Sequence, residues 1–125
     1  MDLLQTTLDN KLSLTGGTLT GGLTVGGAVT ASSFNASSDR RLKENLSPYK
    51  YDNSILDLPV YTFDYVNGQK NQLGCMAQDL QKICPEIVNE GENGYLSIQE
   101  SKIVYLLLME VKKLKEELNT LKIKE

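Results

Sequence analysis

The chain has 125 residues, room for one modest domain with appendages, and a formal net charge of −3. That charge argues against general nucleic-acid binding, which shows as a basic balance or stripe. The absence of His removes Ser-His-Asp triads, Cys-His dyads and His-ligated metal sites. Cys75 and Cys84 are the only cysteines, too few for a disulfide framework or a zinc site, and both are expected to be reduced and structural. Met1-Asp2-Leu3-Leu4-Gln5 lacks the basic n-region and long apolar run of a signal peptide. No run reaches the roughly 18–20 apolar residues of a membrane span. The expected chain is soluble, with no membrane, nucleic-acid, metal or cofactor partner.

Residues 1–37 are biased toward Gly, Thr and Ser. Leu14-Thr15-Gly16-Gly17 returns as Leu19-Thr20-Gly21-Gly22, and more loosely as Leu23-Thr24-Val25-Gly26-Gly27. The Leu-Thr and Thr-Val pairs favour extended backbone, and Gly-Gly permits tight turns. One such strip cannot bury its apolar side alone, so the pattern predicts the end of a β-rich fibrous stalk intertwined with other copies. A flexible linker is the simpler alternative, but regularly placed Leu and Val are not what a solvated spacer needs.

From residue 38 the composition turns globular. Tyr61-Thr62-Phe63-Asp64-Tyr65 is strand-like, and Asn67-Gly68 signals a two-residue hairpin returning over about 71–75. Residues 77–84 predict a short helix, with Met76, Leu80 and Ile83 on one side and Pro85 ending it. Residues 90–94 read as a turn, and 95–98 as a short strand or a helix approach. A long helix is expected over 97–125, with Ser97 as N-cap and Glu100 as its capping-box partner. Val104, Leu107, Val111, Leu114, Leu118 and Leu121 follow at gaps of 3, 4, 3, 4 and 3, a heptad seam. The seam predicts self-association as a coiled coil; packing on the chain's own domain is the alternative. The expected fold class is α+β, a small mixed domain over 38–125 with a long C-terminal helix.

The chemistry concentrates at Ser38-Asp39-Arg40-Arg41-Leu42-Lys43, where repeat gives way to domain. Ser38 offers a nucleophile and Lys43 a base. A lysine base must be neutral, which requires a pKa well below its ordinary value of about 10.4. Nearby Arg40 and Arg41 favour that, and Asp39 opposes it if it pairs with Lys43. Residues five apart do not face each other on an ideal helix, so a working pair needs a turn or a second copy of the chain. Proximity makes the peptide bond between Ser37 and Ser38 the simplest substrate. A solvated basic turn capping a helix is the alternative.

Ser38-Asp39-Arg40-Arg41-Leu42-Lys43-Glu44-Asn45-Leu46 resembles the signature of the endosialidase-type intramolecular chaperone, the self-cleaving C-terminal module of phage tailspikes, tail fibres and neck appendages. The resemblance continues through Gly74-Cys75-Met76-Ala77-Gln78-Asp79 and Pro85-Glu86-Ile87-Val88, although Cys75 and Cys84 replace larger residues usual in the family. It implies a homotrimer that aids folding of an upstream fibre or spike. Self-cleavage between Ser37 and Ser38 then follows, with Ser38 as nucleophile, Lys43 as base, and Asp39, Arg41 and Asn45 in supporting positions. It also implies assembly in the host cytoplasm, a mature fibre on the virion and a released chaperone. A non-cleaving trimeric fibre tip that binds a receptor is the competing function.

Overall fold

Leu80 and Cys84 are the most deeply buried side chains, at 0% and 1% exposure. In the computed structural model, which describes residues 3–5 and 11–124, they centre a cluster completed by Ile55, Ile83, Ile87 and Leu106. Leu80 and Ile83 come from α1 (Ala77–Ile83), at the spacing that puts both on one face. The last helical bond runs from the Cys84 N–H to the Leu80 carbonyl at 2.8 Å. Pro85 then forces the chain into a 3-10 turn over Pro85–Ile87.

Two small antiparallel hairpins flank this helix in sequence. β1 (Tyr61–Phe63) pairs with β2 (Gln72–Gly74), and β3 (Val88–Glu90) pairs with β4 (Leu96–Ile98). Gly74 is needed in the first: a Cβ there would lie 3.2 Å from the Phe63 ring. The long helix α2 (Ile103–Lys124) follows a 3-10 turn over Glu100–Lys102. Its first two turns pack on the core, with Leu106 and Glu110 buried and Ile103 and Met109 half-buried. Helices and strands thus form a small α+β domain with a long final helix.

Chain contacts separate two units, Met1–Leu46 and Ser47–Glu125. In the first, every described residue is exposed, and no strand forms over 11–46. Leu14, Leu19, Leu23, Val25 and Val29 all project into solvent. The stalk expectation over 1–37 therefore finds no strand pairing within one chain; residues 1, 2, 6–10 and 125 lie outside the described residues.

Two local expectations are corrected. Ser97 is not a helix cap: it lies in β4 opposite Asn89, and α2 starts six residues later. The ladder captures Ser97 because the preceding Val88–Glu90 segment, unmarked by sequence alternation, supplies a partner strand. The Asn67-Gly68 loop is wider than two residues. Tyr65 N–H donates to the Gln69 carbonyl at 2.8 Å, and Asn67 and Asn71 both take positive φ, 56° and 57°. The Asp64 carboxylate then accepts the Asn71 N–H at 2.8 Å, which ends the ladder at Phe63–Gln72.

Candidate functional site

Asp39 organises the segment where the Ser-Lys pair lies. Its backbone is extended, and its carboxylate accepts the Arg41 N–H at 2.9 Å, capping a 3-10 turn over Arg40–Leu42. The Leu42 and Lys43 N–H groups close the turn onto the Asp39 and Arg40 carbonyls. Lys43 then resumes extended backbone, so the chain reverses between Ser38 and Lys43. The result brings the two side chains together: Lys43 Nζ donates to Ser38 Oγ at 2.7 Å. A 3-10 turn supplies the contact that a five-residue gap denies on an α-helix.

Asp39 and Arg41 serve each other rather than Lys43. The Arg41 guanidinium meets the Asp39 carboxylate through Nε at 3.1 Å and Nη2 at 2.9 Å. This fork holds the Asp39 carboxyl below its ordinary range, with the backbone cap adding to the effect, and raises Arg41 further. The anion that would oppose a lysine base is thus engaged elsewhere.

A depression of about 410 Å³ opens beside the pair, lined by Ser38, Arg40, Lys43, Glu44, Asn45 and Leu46. Asn45 sits at φ 57°, a left-handed position that Asn tolerates well. Arg40, which sequence reasoning brought in only for the effect of its charge on Lys43, is part of the depression itself. No ion pair engages it among the described residues, whereas its neighbour Arg41 is consumed by Asp39. The signal was available in the i, i+2 fork that Asp39 makes with Arg41, which leaves Arg40 for the depression. Ser37, Ser38 and Lys43 are all exposed in the single chain.

The second unit holds a different constellation. Both cysteines are free, and burial pushes both thiols up. Cys84 Sγ lies 3.1 Å from the Tyr49 hydroxyl and 3.2 Å from the Glu86 carboxylate, which also accepts from Tyr49 at 3.0 Å. An open groove of about 590 Å³ runs between the first hairpin, α1 and β4, with Phe63, Leu73, Met76, Leu96 and Ile98 in its walls. Among the described residues, no cluster of three His, Cys, Asp or Glu could hold a metal ion, and no helix is long and apolar enough to cross a membrane.

Residues 38–89 match a peptidase family model described as chaperone of endosialidase, and the match begins at Ser38. The chain is also similar to long tail fiber protein Gp37 of Enterobacteria phage M1 and to that of Enterobacteria phage Ox2. Each is 35% identical over 98 residues, covering 68% of this chain and 38% of the relative. The chain therefore spans well under half the length of the curated relatives it matches. No solved structure matches it.

Proposed function

Because this chain belongs to the endosialidase chaperone family through residues 38–89, we propose that it is the intramolecular chaperone of a phage fibre or spike and releases itself by cutting before Ser38. The observation that carries the cleavage is the 2.7 Å contact between Lys43 Nζ and Ser38 Oγ at the start of the matched segment. The similarity to long tail fiber proteins supports a fibre as the upstream client.

The chemistry follows from proximity. Neutral Lys43 takes the Ser38 hydroxyl proton while Oγ attacks the Ser37 carbonyl carbon. The Ser37–Ser38 C–N bond then breaks, and the departing Ser38 nitrogen receives the proton from Lys43. Ser37 is left as an ester on Ser38 Oγ. Water hydrolyses it to a Ser37 carboxylate and a free Ser38 hydroxyl. The Arg40 guanidinium and the Asn45 amide line the depression beside the nucleophile and are the donors on hand for the oxyanion.

Assembly gives the reaction its timing. In one chain the pair is exposed to water. Copies packing around it would strip that water from the Ser38–Lys43 contact. The α2 seam supports self-association, and the family resemblance makes it a homotrimer that gathers three chains before their repeats intertwine, because distant pairing costs loop-closure entropy before contacts reward it. Cutting after folding would leave the fibre kinetically held.

Intact mass on the assembled protein tests this. Wild type is expected to split at Ser37–Ser38, while Ser38→Ala and Lys43→Ala stay whole. An assembled wild type of unchanged mass would refute cleavage. It would favour the second reading, a non-cleaving fibre tip, which the open groove lined by Phe63 and Met76 supports.

A further inference from the structure

Segment 47–55 opens the second unit, with no strand or α-helix of its own until the 3-10 turn at Ile55. Side chains hold it. Asn53 Nδ2 donates to the Lys82 and Ile83 carbonyls at 3.3 and 3.2 Å, at the end of α1. Tyr49 reaches Cys84 and Glu86, and its ring stacks on Tyr51 at 5.8 Å. Tyr51 carries the segment's polar bond to α2: its hydroxyl donates to Glu110 Oε1 at 2.9 Å and accepts the Ile55 N–H at 3.1 Å.

Glu110 is an expensive residue to place there. It is 5% exposed, and its second partner, Lys113, stands 3.7 Å away and half in water. A buried carboxylate that loses a partner is strongly destabilised, so Glu110 depends on the tyrosine as much as the reverse. Its position on α2 gives the bond a further meaning. At about 100° per residue, the seam lies roughly a quarter-turn from the face that carries Leu106, and Glu110 falls between the two. Leu107 and Leu114, both seam residues, are its i−3 and i+4 neighbours. Beyond Glu110 no residue of α2 is buried, so that half of the helix lacks tertiary support in one chain.

We propose that Tyr51 and Glu110 form a latch that passes the assembly of α2 to residues 49–55, the stretch that follows the cleavage turn in the chain, with Tyr51 as a positioning residue. The proposal rests on the self-cleaving chaperone reading for its consequence, though not for its geometry. Partner helices on the seam consolidate α2 around Glu110. A fixed Glu110 fixes Tyr51, and through the Ile55 N–H it fixes residues 51–55. In an unassembled chain the latch closes on a helix whose second half is unsupported, so it opens more often than in the assembly, and cutting is faster once the copies have gathered.

Hydrogen exchange over residues 49–55, followed across a dilution series together with oligomer mass, tests the latch. In wild type, exchange there should slow about tenfold on assembly, the scale of one hydrogen bond to a charged acceptor. Tyr51→Phe should assemble equally well yet lose that slowing, and its cleavage should fall about tenfold on the same basis. Glu110→Gln keeps an acceptor oxygen and should retain both. Slowing in Tyr51→Phe equal to wild type, or a wild-type segment indifferent to assembly, would overturn the latch. So would undiminished cleavage in Tyr51→Phe. A wild type that never cuts but shows the tyrosine-dependent slowing would remove the cleavage reading and leave the latch standing.

Discussion

The two units of this chain carry similar apolar residues and treat them in opposite ways. In Ser47–Glu125, Ile55, Leu80, Ile83, Ile87 and Leu106 find one another within a single copy. In Met1–Leu46, Leu14, Leu19, Leu23 and Val29 find nothing, and each stays at least half exposed. The α2 seam sides with the repeat: Val104, Val111, Leu114, Leu118 and Leu121 are all more than half exposed, although they share a helix with buried Leu106. An apolar pattern thus states that burial is required, while the fold decides whether one chain can supply it.

The largest effect expected from this contrast is on stability. Leu80→Ala should cost the second unit about 2–5 kcal/mol, because it opens a cavity in the centre of the core. Leu23→Ala should change the melting of an unassembled chain by less than about 0.5 kcal/mol, as a substitution touching nothing does. Thermal or denaturant melts of both variants check this. A large cost at Leu23 would show that the repeat is buried in the single chain after all.

Next in size is the seam. Leu114→Glu should lower the oligomer mass measured by light scattering while leaving the circular dichroism of the second unit close to wild type, since Leu114 is already 53% exposed. Leu106→Glu should do the reverse damage and unfold the unit, because it buries a charge in the core. Equal outcomes for the two would erase the distinction between the faces of α2.

Much of this was legible beforehand. Leu80 and Ile83 with Pro85 announced α1, its buried face and its end. The Ser38-to-Lys43 gap called for a turn, and a 3-10 turn stands there. The seam was legible as a pattern, but a heptad is silent on Leu106 and Glu110, which pack the same helix on its own domain. β3 was hidden because Val88–Glu90 has three residues and no alternation, so only pairing with β4 makes it a strand. Ser97 shows the general reason: a capping box is a local preference, and a cross-strand partner outweighed it. Tyr49, Tyr51 and Asn53 were invisible as anchors because each acts over some 29 residues or more on a partner that only the fold brings close.

Alkali should probe the second unit selectively. The Tyr49 hydroxyl is raised above its ordinary value of 10.0 by its bond to Cys84, by burial and by Glu86, and Tyr51 is raised by burial first. A phenol whose folded pKa is raised stabilises the fold below its unfolded pKa and loses that contribution as pH rises through the folded one. The second unit should therefore weaken above about pH 10. Tyr49→Phe should flatten that decline, read as a shallower fall of melting temperature with pH. The first unit has no tyrosine and should contribute nothing to it.

Acid should give the smallest effect and the finest comparison, since among the described residues each unit has one depressed carboxylate. Asp39 is lowered by the Arg41 fork, and Glu86 by its own backbone N–H, then by Cys84 and Tyr49. In both, the folded pKa is below the unfolded one, so the contribution is whole above the unfolded value and is lost as pH falls through the folded one. For Asp39 the window opens below 3.8. Protonation there removes the Arg41 pair and weakens the cap, so the turn opens and Lys43 leaves Ser38. Carbonyl-carbon NMR of Asp39 should titrate together with the Ser38 and Lys43 signals. Asp39→Asn keeps the oxygen that caps the Arg41 N–H but loses the charge, so it should show the loosened turn at every pH and abolish its acid dependence. If the Ser38 and Lys43 signals still move with acid in that variant, the Asp39–Arg41 fork does not set their contact, and the turn closes through its backbone bonds alone.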